Sequence, residues 1–256
     1  MEFIHLESRQ GVSILTLNRP KKLNAINSQM LLELDEALEM VDQNDHKLLI
    51  VRGAGQGFCS GGDISMMKEI SDQQTFNDIM ELIEKIITKI YLMDKIVIAM
   101  IQGPAVGLGL SLALACDYVI AHKRHKLSMN FIGIGLVPDG GGHFWLKERL
   151  GVTQASKFIW SGQEFEGEES LTHGLVDLIV EKDLESLIDE VVAYWHSRPL
   201  QSVVATKLIY HRSLYKELQK YLEQEKEMQW KMRQTADHQE GVQAFLEKRR
   251  PKFEGK

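Results

Sequence analysis

Three glycine-rich turns, each placed to join extended chain to a helix, hold the residues best suited to chemistry. The apolar run 48–52 leads into Gly53-Ala-Gly-Gln-Gly-Phe-Cys-Ser-Gly-Gly-Asp63, and the run 96–101 into Gly103-Pro-Ala-Val-Gly-Leu-Gly109. The third reads Gly133-Ile-Gly-Leu-Val-Pro-Asp-Gly-Gly-Gly142. Glycine after a strand lets the backbone take positive φ or approach a ligand closely, and a helix beginning there leaves its first N–H groups free to donate. Two such turns can aim donors at one oxygen. Taken singly, each reads equally well as a tight strand-to-helix turn.

Other chemistries fit less well. Ser60 is not in G-x-S-x-G, because Phe58 stands two before it, which argues against a serine hydrolase. Neither Gly55-x-Gly57 nor Gly107-x-Gly109 is followed by the third glycine of a dinucleotide turn. His122 and His125 flank Lys123-Arg124 without another ligand in metal spacing, so no metal is expected. His143 reads as a helix-start surface or packing residue. Asp63 reads as ordering its own turn and not as a base. Cys59 and Cys116 are far apart, without C-x-x-C spacing, and fit two free thiols in a reducing compartment.

These turns need a scaffold. Val12–Leu17, 48–52 and Ile96–Ile101 have the compact apolar character of buried strands. Between them, Met30, Leu34, Ala37, Leu38 and Val41 recur at helical spacing. A second helix carries Phe76, Ile79, Met80, Ile83, Ile87 and Ile90 on one face, with Ser71 and Gln74 as a capping box. A short apolar helix is expected over Leu110–Ala115. Alternating strands and helices predict mostly parallel sheet with covering helices. From about residue 180 the pattern is helical: a stripe from Leu184 to Trp195 with Asp183 as N-cap, a helix opened by Pro199, and a last one starting around Asp237 and Glu240.

With 256 residues, 44% apolar and 26% charged, the chain can bury a sizeable core. No run approaches the roughly 20 apolar residues of a membrane span, and the N-terminus has no apolar signal segment. A net charge of −6 argues against a nucleic-acid partner. The basic group Lys248, Arg249, Arg250, Lys252 and Lys256 reads as a solvated tail, or else as a patch for a phosphorylated ligand. A cytoplasmic protein is expected.

Six segments resemble, in order and spacing, the signatures of the crotonase superfamily (enoyl-CoA hydratases and isomerases). They are Asn18-Arg-Pro-Lys-Lys-Leu-Asn-Ala25, Phe58-Cys-Ser-Gly-Gly-Asp-Ile64, Gln102-Gly-Pro-Ala-Val-Gly-Leu-Gly109, Ala113-x-Ala-Cys-Asp117, Gly135-Leu-Val-Pro-Asp-Gly-Gly-Gly142 and Phe245-Leu-Glu-Lys-Arg249. The resemblance implies an α/β fold: a repeated ββα spiral core over 1–195 with the coenzyme A site, and a C-terminal helical region over 196–256 that builds a homotrimer or dimer of trimers. It implies an acyl-CoA thioester as substrate, with coenzyme A part of that substrate and no further cofactor. It assigns the oxyanion-hole donors to the N–H groups of Gly62 and Leu108, and coenzyme A contacts to Ser60, Gly61, Gly62, Asp63, Ile64, Ser65 and Gly107. Lys21 and Lys22 would meet its phosphates or stay solvated.

The departures from the family are informative. Similar hydratases carry carboxylates at positions that align with Ser111 and Phe131, and neither residue here supplies one. Asp139 matches a working Asp of isomerase and dehalogenase branches, and the phenylacetate-pathway ring-opening isomerases resemble the run around it most. The resemblance therefore implies an isomerase with Asp139 as proton shuttle. Alternatives are a hydratase with atypical acid and base groups, a non-catalytic acyl-CoA-binding protein, or an Asp139 that only caps the following helix.

Overall fold

In chain order the strands are β1 (Ile4–Arg9), β2 (Val12–Leu17), β3 (Leu48–Gly53), β4 (Ile96–Ile101), β5 (Pro104–Val106), β6 (Tyr118–His122), β7 (Lys126–Ser128), β8 (Glu164–Glu166) and β9 (Leu178–Val180). The helices are α1 (Ser28–Asp42), α2 (Gln73–Leu92), α3 (Leu108–Leu114), α4 (Gly142–Ser161), α5 (Gly167–Thr172), α6 (Leu184–His196), α7 (Leu200–Arg233) and α8 (Ala236–Leu246). These come from a computed structural model, which describes residues 1–65, 70 and 72–256.

One sheet runs β1-β2-β3-β4-β6-β9, antiparallel only at β1–β2. A smaller sheet, β5-β7-β8, forms a second layer. Single bridges extend that layer: Cys59 pairs with Ala105, and Ile26 with Gly62. Each turn of chain thus lays one strand in the large sheet, one extended piece in the small layer, then a helix. This is the repeated ββα arrangement expected.

The strands read as continuous apolar runs because both faces of the large sheet are covered. Leu49, Val51, Val97, Ala99 and Ile101 face a core shared with α1, α2, α3 and α4. Their neighbours Leu48, Ile50, Ile96, Ile98 and Met100 face Leu184, Leu187, Ile188 and Val192 of α6. Val204 and Leu208 of α7 join that rear cluster, so the helical region from 196 onward is continuous with the core packing.

Helix starts follow local chemistry with two differences from expectation. Asn27 caps α1 through Met30 N, and Asp183 caps α6 through Ser186 N, as expected for the latter. Asp72 caps α2 by accepting from Thr75 N, whereas the expected capping box used Ser71, which lies outside the described residues. The last helix starts earlier than Asp237: Thr235 caps it by accepting from His238 N. Asp237 instead accepts from the amides of Glu254 and Gly255, and Glu240 pairs with Arg249. Their carboxylates fold the C-terminal tail back onto α8. Among the described residues no helix is long and apolar enough to cross a membrane.

Candidate active site

Because β3 and β4 are parallel neighbours, the chain leaving each emerges at the same end of the sheet. The glycine turns that follow must therefore lie side by side. Val106 N donates to Cys59 O at 2.9 Å, and Gly107 N to Ser128 O at 2.9 Å, which brings the third turn's approach alongside. Asn24, fully buried, locks the first turn: its amide donates to the carbonyls of Ala54, Gly57 and Phe58 at 2.8–3.1 Å. Gly61 sits at φ +92°, and a Cβ built there would fall 2.9 Å from Val106 O and 3.6 Å from Leu108 N. Only glycine lets the two turns meet so closely.

The turns open onto a cavity of about 480 Å³. Ser60, Gly61, Gly62, Asp63, Ile64, Ser65, Gly107 and Leu108 all line it, together with Lys22, Phe131, Phe245 and Leu246. Among the described residues neither the Gly62 nor the Leu108 N–H donates within the protein. The reason is geometric. The Ile26–Gly62 bridge uses the Gly61 carbonyl and the Asp63 amide, and so passes over Gly62 N. Leu108 is the first residue of α3, whose N–H has no carbonyl one turn back to accept it. Two main-chain donors without a partner among the described residues thus belong to residues lining one cavity.

Asp63 orders its own turn. Its Oδ1 accepts from the Ser65 amide (3.0 Å) and hydroxyl (2.6 Å), and Oδ2 meets Arg19 at 3.1 Å. Burial pushes its pKa up, but these donors and the guanidinium outweigh burial and leave it below the usual value. Cys59 is fully buried, and burial raises its thiol to about 12, so it is inert at neutral pH. Lys22 lines the cavity, and Lys21 is exposed. Of the tail cations, Arg249 is tied to Glu240 and Glu247.

Asp139 is placed differently from the other candidates. Its carboxyl is not among the groups lining the cavity. The adjacent Gly140 packs against Leu108, whose Cδ1 lies 2.7 Å from where a Cβ on Gly140 would be. The carboxyl is buried: Oδ2 accepts from Gln229 Nε2 at 3.2 Å, and Oδ1 has no partner among the described residues. Burial, reinforced by the negative Glu225, pushes its pKa up to about 8.

Asp139 does not cap α4 with its side chain. Gly141 occupies the N-cap position, and Glu225 takes over the capping from across the molecule. Glu225 Oε2 accepts from Gly141 N at 2.7 Å, and Oε1 accepts from His143 N at 3.0 Å. His143 Nδ1 lies 2.8 Å from the same Oε1, so the imidazole has a defined partner at the helix start. Ser111, buried on α3, donates its hydroxyl to the Asp139 backbone carbonyl at 2.7 Å.

Glu225 and Gln229 were not legible as site residues from motif or spacing. They lie four apart on α7, continuing the buried stripe of Leu218 and Leu222. The one signal was polar residues at positions where that helical stripe asks for apolar ones.

Comparison with known proteins agrees with this architecture. The family model described as enoyl-CoA hydratase/isomerase matches residues 7–256. The Bacillus subtilis (strain 168) protein YhaR is 45% identical over 254 residues, covering 99% of this chain and 100% of its own. The 1,2-epoxyphenylacetyl-CoA isomerase of Escherichia coli (strain K12) is 32% identical over 262 residues and the full length of both. The crystal structure of an enoyl-CoA hydratase from Mycobacterium avium subsp. paratuberculosis K-10 superposes with a TM-score of 0.89, at 30% identity over 98% of each chain. With its spiral of ββα turns and two free amides at one cavity, the chain belongs to the enoyl-CoA hydratase/isomerase family of acyl-CoA-processing enzymes.

Proposed function

We propose that the protein is an enoyl-CoA isomerase that moves a double bond, or opens a ring, through an enolate of the acyl thioester. The observation carrying this reading is the buried Asp139 carboxyl, whose pKa of about 8 suits a group that must both take and return a proton near neutrality. Deprotonated Asp139 takes the α-proton. The electron pair shifts onto the thioester oxygen, where the N–H groups of Gly62 and Leu108 receive the charge. Such a donor is worth about 3–4 kcal/mol in the transition state. The enolate collapses as Asp139 returns the proton to the γ carbon. For this the α carbon must come within reach of the Asp139 carboxyl, which does not itself line the cavity.

The positions where similar hydratases hold carboxylates support this over water addition. Phe131 lines the cavity wall, and Ser111 is engaged with the Asp139 carbonyl. Adding water needs a group that orients and deprotonates it, besides one that protonates carbon. Coenzyme A belongs to the substrate in this reading, and no other cofactor enters. Residues 1–195 carry most of the site and 196–256 the association surface of a trimer or hexamer. Exposed Ile209 and Tyr210 on α7 fit such a surface.

The test is to incubate a 3-enoyl-CoA and crotonyl-CoA separately and to follow α-proton exchange in D2O. Isomerisation and exchange that disappear in Asp139→Asn are expected. Hydration of crotonyl-CoA that survives Asp139→Asn would point to the hydratase alternative. Binding with no exchange in the wild type would point to an acyl-CoA-binding protein.

A further inference from the structure

Two side chains of α7 hold the turn that carries Asp139. Gln229 donates to Val137 O (2.6 Å) and to Asp139 Oδ2 (3.2 Å), on the near side of the turn. Glu225, one helical turn earlier and 2% exposed, accepts from the amides of Gly141 and His143 and from the His143 ring, on the far side. A carboxylate is not required to hold such a turn, since serine, threonine or asparagine oxygens satisfy helix N-termini as well. A second buried acid beside a buried acid is costly unless it is hydrogen-bonded, and Glu225 has three donors. Its charge also acts on Asp139, because a like charge nearby disfavours ionisation of its neighbour.

We infer that Glu225 is the positioning residue of the reaction: it fixes the 139–143 turn and sets the proton affinity of Asp139, with His143 moderating its charge. This rests on the reading of Asp139 as the proton shuttle. Among the described residues, Glu225 and His143 are the titratable groups seen hydrogen-bonded to each other at the 139–143 turn. Lys226 of α7 is tied to Glu81 of α2, and Lys147 of α4 to Glu148 and Glu217. Arg233, farther along α7, lies over the Phe76 ring of α2. From α3 the turn meets the uncharged Ser111. The upward shift of Asp139, which Glu225 reinforces after burial, agrees with this assignment.

The test is to titrate the Asp139 carboxyl by 13C NMR in full-length wild type, Glu225→Gln and His143→Ala, identifying its signal by its loss in Asp139→Asn. The pH dependence of kcat/KM for 3-enoyl-CoA isomerisation is measured on the same proteins. Glutamine removes the charge and keeps one of the two acceptor oxygens, its NH2 standing in for the other, so some loss of rate from the turn is expected. Besides that loss, the electrostatic effect should move the midpoint and the rising limb both acidward by about one pH unit or more. His143→Ala leaves the charge unmoderated and should move both alkaline. A merely structural role would lower the rate at every pH and leave the midpoint in place, and that result in Glu225→Gln overturns the inference. Should Glu225→Gln fail to fold, an unmoved midpoint in His143→Ala overturns it instead. Isomerisation that survives Asp139→Asn removes the underlying reading, whereas an inactive Asp139→Asn with an unmoved midpoint in Glu225→Gln removes only the role of Glu225.

Discussion

Ser111 Oγ donates a 2.7 Å hydrogen bond to the backbone carbonyl of Asp139, from a position where hydratases of this family would be expected to place an acid. The residue that replaces the carboxylate thus supports the turn bearing a different carboxylate. The bond is partly buried, and its removal leaves the Asp139 carbonyl with the Gly142 amide as a donor.

Replacing Asp139 separates function from stability. Its carboxyl has a pKa near 8 in the folded chain against 3.8 in a free side chain. Between those values the folded protein keeps a proton that the unfolded chain has released, so stability falls as pH rises through that window. Asp139→Asn should therefore be inactive yet more stable than wild type, by about 1–3 kcal/mol above pH 8 and by little below pH 4. Thermal unfolding across pH checks this, and equal Tm differences at both ends would refute it.

Leu108 allows its amide to be separated from its side chain. Leu108→Pro deletes the donor at the first position of α3, where proline is tolerated in helices. It should reduce turnover about 10²–10³-fold while the protein stays folded. Leu108→Ala keeps the donor and trims a buried side chain, so its main effect should be about 2–4 kcal/mol of stability. Parallel kinetics and denaturant melts on the two variants distinguish these effects.

Asn24 should be hard to replace. In Asn24→Ala the Gly57 carbonyl keeps Gln102 as a donor, but the Ala54 and Phe58 carbonyls lose the Asn24 amide and Arg19 N loses its acceptor. A loss of about 2–4 kcal/mol is expected, read as a lower urea midpoint.

Gly241 is where α8 touches the cavity wall. A Cβ there would fall 2.7 Å from the backbone of Ile134, which also lines the cavity. Gly241→Ala should cost about 1–3 kcal/mol and displace Phe245 and Leu246 from the cavity mouth. KM for an acyl-CoA should then rise more than kcat falls. A changed kcat with unchanged KM would contradict this.

Much of the scaffold is visible in local pattern. Strands buried on both faces show up as unbroken apolar runs, and helices with one buried face show up as 3.6-residue stripes, as in Phe76 to Ile90. Adjacency of the first two glycine turns follows once β3 and β4 are read as parallel neighbours. What escaped depends on contacts distant in the chain. Glu225 meets Gly141 across 84 residues, and nothing near either residue announces the other. The tail's return onto α8 likewise gave Asp237 and Glu240 partners that made Thr235 the cap. The position of Asp139 off the cavity, against Gln229 90 residues away, depends on side-chain packing, which spacing alone does not express.

Both free donors at the cavity belong to the peptide chain itself, and this bears on how such a protein can diversify. Ordinary point mutations exchange side chains, so the proposed charge-receiving device passes unaltered through nearly all of them, proline being the evident exception. Positions 111, 131 and 139 are under no such protection. A lineage built on this frame can trade one acid or base for another and acquire a new reaction without first dismantling the step that all of its reactions share.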